Sequence, residues 1–162
     1  MAAADTLGST APAPTKHDLA AKRIEYYARW AAAAGAIPAP VVDIAALTAV
    51  QLKMLHTLAK IYGSEFSQDK GKAILGSVLG ALIPSKLGYG ALGSAIKAVP
   101  VVGTIAGMAA VPAFNYATTH AVGKVFEKHF ASGGKMLNLD PKSVEKQVAD
   151  AMAAPAPVPA PK

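Results

Sequence analysis

The amino-acid sequence predicts an all-α fold of tandem helical hairpins, one of them an apolar hairpin rich in glycine and alanine. Apolar residues recur at the three- and four-residue spacing of helices. Hydrophobic residues make up 52% of the 162 residues and aromatic residues only 6%, so alanine supplies much of the apolar content. Charged residues are 16% of the chain, against about 25% in a typical soluble domain. Small residues let helices pack closely in lipid, so this composition favours a membrane or a large partner surface.

The first helix is predicted over residues 16–34. Thr15 and Asp18 have the spacing of a capping box, with aspartate in place of the usual glutamate. Gly35 and Pro38 end the helix. Its apolar face is formed by Ala20, Ile24, Tyr27, Ala28, Ala31 and Gly35.

The second helix is predicted over residues 41–62, with Pro40 at its start and Gly63 as its stop. Its apolar stripe consists of Leu47, Val50, Met54, Leu58 and Ile61. Because the connection between the two helices is short, they are expected to form an antiparallel hairpin.

The third segment begins at a Ser67 cap and becomes an apolar hairpin at about residues 73–119. Lys86 is the only charge in residues 73–96, and residues 98–119 carry none. Breaks are expected at Pro84, Gly88, Gly90, Gly93, Pro100 and Pro112.

An amphipathic helix is predicted to follow over residues 120–130 and to end at Gly133. Asp140 and Pro141 then begin a final helix that ends near Met152. The domain organisation is therefore a disordered tail at 1–14, one helical domain at 15–152 and an Ala/Pro-rich tail, also disordered, at 153–162.

The apolar hairpin favours membrane association, because residues 98–119 reach the roughly 20 residues that a spanning helix needs. Two glycine pairs have the spacing of close helix packing, Gly76 with Gly80 and Gly103 with Gly107. The hairpin could span the membrane, re-enter it, or lie in a soluble core, and a soluble helical bundle stays the alternative.

Lysines and arginines flank the apolar region on both sides, which predicts that both termini stay cytoplasmic. The first 15 residues have no signal-peptide pattern. The net charge of +6 comes mostly from scattered lysines without interleaved aromatics, so anionic lipid is favoured as a partner and nucleic acid is not.

No catalytic, cofactor-binding or metal-binding motif is present, so the chain is predicted not to be an enzyme and to need no cofactor. Gly71 and Lys72 are a fragment of a phosphate loop without its other residues. There are no cysteines, and His17, His56, His120 and His129 lack metal-ligand spacing.

Several polar residues fall on or near apolar stretches. The candidate interhelical polar contacts are Asp43, Thr48, Gln51, Asn115, Thr118 and His120. Buried polar groups need partners, so these residues are expected to fix helix register. A more specific alternative is a polar binding site or ion path between the hairpins. A third interpretation is an enzyme or transporter subunit that uses Gln51, Asn115 or His120.

Residues 32–54, which read AAAGAIPAPVVDIAALTAVQLKM, together with Ile61-Tyr62-Gly63, resemble the bacterial DUF697 family, which includes YcjF-like membrane proteins. Residues 99–107 and 123–130 are similar to its later part, so the resemblance covers roughly residues 23–139. It implies a helical, membrane-associated module of unknown function, in some members associated with a GTPase domain. This chain lacks such a domain, so a GTPase would be a separate partner.

The sequence thus predicts a non-catalytic membrane-associated adaptor or scaffold in the bacterial inner membrane. Its expected partners are membrane lipid and either another protein or a second copy of the chain. The alternative is a cytoplasmic, soluble helical bundle that acts as a protein-binding module.

Overall fold

The structure is a computed structural model that describes residues 12–36, 42–82 and 102–153, and only the backbone of residues 42–43 and 102–110. The described residues form five α-helices and a 3-10 turn, with no strand among them. The elements are α1 (Lys16–Gly35), α2 (Val42–Tyr62), α3 (Gln68–Leu82), α4 (Val102–Ala131), the 3-10 turn Met136–Asn138 and α5 (Pro141–Ala153). The all-α prediction is confirmed.

The helix ends are set by local sequence. The Thr15 hydroxyl accepts from the Asp18 amide at 3.1 Å, and the Asp18 carboxylate accepts from the Thr15 amide at 2.9 Å, which completes the capping box. The Thr15 hydroxyl also donates to the Asp18 carboxylate at 2.7 Å. This bond, followed by the one from the Thr15 amide, holds the pKa of Asp18 below its usual value. Gly63, at φ 72°, ends α2 in a conformation that favours glycine. Asp140 accepts from the Ser143 amide at 2.9 Å and so caps α5.

The helices α1, α2 and α4 pack together around the main core. Tyr27 in α1 lies against Thr57 late in α2, while Ala31 clusters with Leu47 early in α2, so the two helices are antiparallel, as expected. The fully buried apolar residues of this core include Ile24, Met54, Leu58, Val122 and Phe126. Gly123 lets α4 approach closely, because a Cβ there would lie 2.8 Å from Ile24 Cγ1 and Cγ2.

The helix α3 does not pair with α4 in the way that a second hairpin over residues 73–119 would require. In the described residues, α3 packs on α2 and α5, and α4 packs mainly on α1. The physical reason is that α3 buries its large side chains, Ile74, Leu75, Val78 and Leu79, and leaves its glycine face outward. The predicted breaks at Pro84, Gly88, Gly90, Gly93 and Pro100, and the predicted tails at 1–11 and 154–162, lie outside the described residues.

The predicted interruption at Pro112 is wrong. The helix α4 runs without a break from Val102 to Ala131 with Pro112 inside it. Proline removes one backbone hydrogen bond to the preceding turn. The helix continues because packing holds it before and after the proline. Val111 lies against Gly35 of α1, and Asn115 and Thr119 hydrogen-bond to α1 and α2.

Candidate functional site

Two buried amides of the predicted polar set join helices. Gln51 is fully buried, and its Nε2 donates to the Thr119 hydroxyl at 3.2 Å, which links α2 to α4. Its Oε1 is buried without a hydrogen-bond partner in the structure. Asn115 is 2% exposed, and its Nδ2 donates to the Ala31 carbonyl at 3.3 Å, which links α4 to α1. Both bonds hold α4 in one register against the first two helices.

The other members of the set have different surroundings. Thr118 is buried and donates to the Met152 sulfur at 3.6 Å, so it links α4 to α5. Among the described residues, Thr48 bonds within its own helix and not between helices, since its hydroxyl donates at 2.7 Å to the Ile44 carbonyl. His120 is half-buried and stacks on Tyr116 with ring centroids 6.0 Å apart, and burial lowers its pKa. Asp43 stands in the first turn of α2, with its side chain outside the described part.

The sequence analysis did not identify one buried carboxylate. Glu127 of α4 is 4% exposed, and its Oε1 lies 2.7 Å from His17 Nδ1 of α1. Lys124 Nζ lies 3.0 Å from its other oxygen. The helical spacing of Thr119, Gly123 and Glu127 placed it on the buried face of α4, and this signal could have identified it.

A second polar cluster joins α1 to α4 at the surface. The Tyr116 hydroxyl donates to Glu25 Oε2 at 2.7 Å, and Arg29 Nε donates to the other oxygen at 2.8 Å. The hydrogen bond from Tyr116 is the main cause that lowers the pKa of Glu25. Like the buried amides, this cluster fixes one helix against another.

The contact between His17 and Glu127 lies apart from the groove described below. Within residues 12–36, 42–82 and 102–153, no group of three or more acidic or histidine side chains could hold a metal ion. A shallow groove beside α2 is lined by Tyr27, Leu52, Lys53, His56, Thr57, Phe66 and Gln68. This lining contains an imidazole without a carboxylate beside it, so it offers no paired acid and base.

The two predicted glycine pairs lie on different helices. Gly76 and Gly80 are exposed on α3, and no other atom lies within 4 Å of where a Cβ would stand on either. They therefore make no close helix contact within the described chain. Gly103 and Gly107 lie in the first turns of α4, where only the backbone is described.

Four helical segments without a charged residue meet at one end of the bundle, bordered by Glu25, which bonds Tyr116, and by Glu145, which bonds Ser77. The clustering of Ala31, Leu47 and Leu79 shows that α1, α2 and α3 meet there. The side chains of Val111 and Asn115 reach Gly35, which brings α4 to the same end. We call this the uncharged end, because its segments contain no Asp, Glu, Lys or Arg; they are residues 30–36, 44–52, 73–82 and 111–119. Asp43 borders it.

The uncharged end also carries large apolar side chains in contact with solvent. Trp30 is 57% exposed, Ile44 50% and Val111 40%. The outward residues of α3 at this end are small and apolar: Ala73, Gly76, Gly80 and Ala81. Exposed apolar groups gathered at one place mark an interaction surface.

One helical segment of the described chain, Ile44–Tyr62, is long and apolar enough to cross a membrane by length and composition. A third of it is buried in the fold, where Met54, Leu55 and Leu58 belong to the main core. A core helix of a soluble bundle has the same properties, so the segment alone decides nothing.

The comparisons with known proteins identify the family. The family model described as "Domain of unknown function (DUF697)" matches residues 9–153. A relative from Magnetospirillum gryphiswaldense, described as "Magnetosome membrane protein 22", is 36% identical over 134 residues, which are 83% of this chain and 69% of the relative. No solved structure matches the chain. The chain therefore belongs to the DUF697 family, as its sequence predicted.

Proposed function

We propose that this protein is a non-catalytic, membrane-associated helical adaptor or scaffold, which meets the bilayer with its uncharged end. The observation that carries the proposal is the low charge of the segments that meet at this end. Four segments from four helices come together there without one charged residue. Burying charge in lipid is costly, so an end without charge is the part that a bilayer accepts.

The chain connectivity supports this orientation. Residues 83–101 connect the last turn of α3 with the first turn of α4, and they contain only Lys86 and Lys97 as charges. Leu79, near the end of α3, lies at the uncharged end, and so does Val111 of α4. The described parts of α3 and α4 nearest this segment in the chain therefore lie toward the side that faces lipid in the proposal.

The opposite half carries the charges and is the part left for protein partners. It includes the first turn of α1, the C-terminal half of α2 and the C-terminal end of α4. Under the positive-inside rule this half, with both termini, lies on the cytoplasmic side of the inner membrane. A separate GTPase is the partner class that the family resemblance suggests.

The relative adds independent support, since it is described as a membrane protein and shares 36% identity with this chain. The alternative is a soluble bundle that binds another protein through its Gly/Ala face. The burial of Met54, Leu55 and Leu58 of the spanning-length segment in a bundle core favours that alternative.

Fractionation of a bacterial cell that expresses the full chain separates the two functions. We expect the protein in the membrane pellet, resistant to alkaline carbonate. The variant Gly80→Glu with Ala81→Glu places charges on the uncharged end and should move the protein toward the carbonate-soluble fraction. The matched control, Ala131→Glu with Asn138→Glu, adds the same charge to exposed positions at and just after the C-terminal end of α4, and should leave the protein in the pellet. A wild-type chain found in the soluble fraction would replace the proposal by the alternative.

A further inference from the structure

The outward face of α1 combines aromatic side chains with cations. Leu19 is 41% exposed, Tyr26 49% and Trp30 57%. The rings of Tyr26 and Trp30 are in edge contact, with centroids 6.3 Å apart. These three residues are spaced by seven and four positions, so they share one face of the helix, about 180° from the buried Ala28.

Cations border the strip formed by Leu19, Tyr26 and Trp30 on both sides. At about 100° per residue, Lys22 and Arg29 fall on one flank of the strip, and Lys16 and Arg23 fall on the other. All four side chains are exposed. We call these seven residues the α1 outer face.

The acidic groups near this face already have partners. Glu25 accepts hydrogen bonds from Tyr116 and Arg29, and Asp18 is held in the N-terminal capping box. Lys22 and Arg23 form no ion pair within 4.0 Å among the described residues, so their charges are available to an anionic partner.

From the α1 outer face we infer a site for the headgroups of anionic phospholipids, which rests on the proposed membrane association. Trp30 belongs to the uncharged end, and Arg23 lies two turns further along, about 10 Å away at 1.5 Å per residue. A headgroup layer is about 5–8 Å thick on each side of the hydrocarbon core. Indole and phenol rings favour that boundary, and lysine and arginine favour the phosphates beyond it.

Charge complementarity selects lipid over another protein as the occupant. A second copy of this chain would place the same cations opposite one another, and the net charge of +6 adds to that repulsion. An anionic bilayer instead attracts both flanks and accepts the rings between them.

Trp30 is the single tryptophan of the chain, so its fluorescence reports on the α1 outer face without labelling. The purified full chain is mixed with vesicles of phosphatidylcholine alone or with added phosphatidylglycerol, and bound protein is measured by flotation. We expect anionic vesicles to shift the emission to the blue and to protect Trp30 from iodide.

The variant Lys22→Gln with Arg23→Gln should lower the affinity for anionic vesicles on the order of 30-fold, because each cation near the surface contributes a factor of about five. The control Lys142→Gln with Lys146→Gln removes the same charge from α5, which does not contact α1 in the described residues, and should change the affinity much less.

Three results would overturn the inference. One is flotation with unchanged Trp30 emission, in which case the membrane proposal survives without this site. The second is an equal loss in both variants, which would make net charge alone responsible. The third is protection of Trp30 that grows with protein concentration in the absence of vesicles, which would assign the face to a second copy. A chain that floats with neither vesicle type would contradict the membrane proposal itself.

Discussion

Gly123 allows a close contact between α4 and α1 in the buried core, and its replacement by alanine should destabilise the protein. A Cβ at this position would stand 2.8 Å from two carbons of the fully buried Ile24 and 3.1 Å from the Met54 sulfur. Overpacking of this kind costs about 1–3 kcal/mol. The gain in helix propensity from glycine to alanine offsets about 1 kcal/mol. Since Ile24 is branched and enclosed, we expect the upper range of the cost and a net loss of about 2 kcal/mol.

Gly76→Ala is the matched control. Gly76 also lies inside a helix, but no other atom is within 4 Å of its Cβ position, so only the propensity gain remains. We expect this variant to gain about 0.5–1 kcal/mol, which leaves a difference of about 3 kcal/mol between the two substitutions. Denaturant unfolding of both purified variants, followed by circular dichroism at a concentration where the chain is monomeric, measures it. If Gly123→Ala stabilised the protein as much as Gly76→Ala, the packing of α4 on Ile24 would be refuted.

Three further predictions concern the polar contacts between helices. A double-mutant cycle of Gln51→Ala and Thr119→Ala should give a coupling free energy of about 1 kcal/mol in denaturant unfolding. Additive effects of the two substitutions would show that this hydrogen bond does not contribute to stability. Tyr116→Phe should cost about 1.5 kcal/mol at neutral pH, the low end for a charged acceptor, because Glu25 is 37% exposed. The pKa of Glu25 in the folded protein lies below its ordinary value of 4.5, so the stability lost in Tyr116→Phe should shrink as the pH falls through that folded pKa. A loss that does not change with pH in the unfolding titration would contradict this prediction. Burial lowers the pKa of His120 from its ordinary value of 6.5, so the unfolded chain binds this proton more readily and the stability should fall as the pH drops below 6.5. The variant His120→Gln should flatten this part of the curve of stability against pH. An unchanged slope would exclude His120 as its source.

The helix ends could be predicted from sequence because they depend on neighbouring residues. Thr15 and Asp18, Gly63, and Asp140 set the bounds of their helices through contacts within three or four positions. The apolar faces of α1 and α2 were also predictable, since burial follows helical spacing.

Tertiary packing was harder to predict from the sequence. Small-residue spacing drew attention to Gly76 and Gly80, which face outward, whereas the tightly packed glycine of α4 is Gly123, which has the same spacing from Thr119. Pro112 suggested an interruption because local propensity cannot show that α1 packs against Val111 before it and that α1 and α2 bond to α4 after it.

The polar contacts show the same limit. Gln51 and Asn115 stood out as polar residues within apolar helices, and their burial follows from that pattern. Their partners could not be predicted, since Gln51 and Thr119 are 68 positions apart, and Asn115 and Ala31 are 84 apart. Glu127 was missed because a charged residue between lysines resembles a solvated face.

The contact of the uncharged end with lipid can be measured directly, because the chain has no cysteine of its own. A polarity-sensitive fluorophore is attached to Gly80→Cys at the uncharged end and, in a second protein, to Ala131→Cys at the exposed C-terminal end of α4, about 30 Å along that helix from Val111. On mixing with vesicles, we expect a blue-shifted, brighter emission from the first label and little change from the second. Equal responses from both labels, or no response from Gly80→Cys while the protein floats with the vesicles, would contradict the claim that this end faces the bilayer.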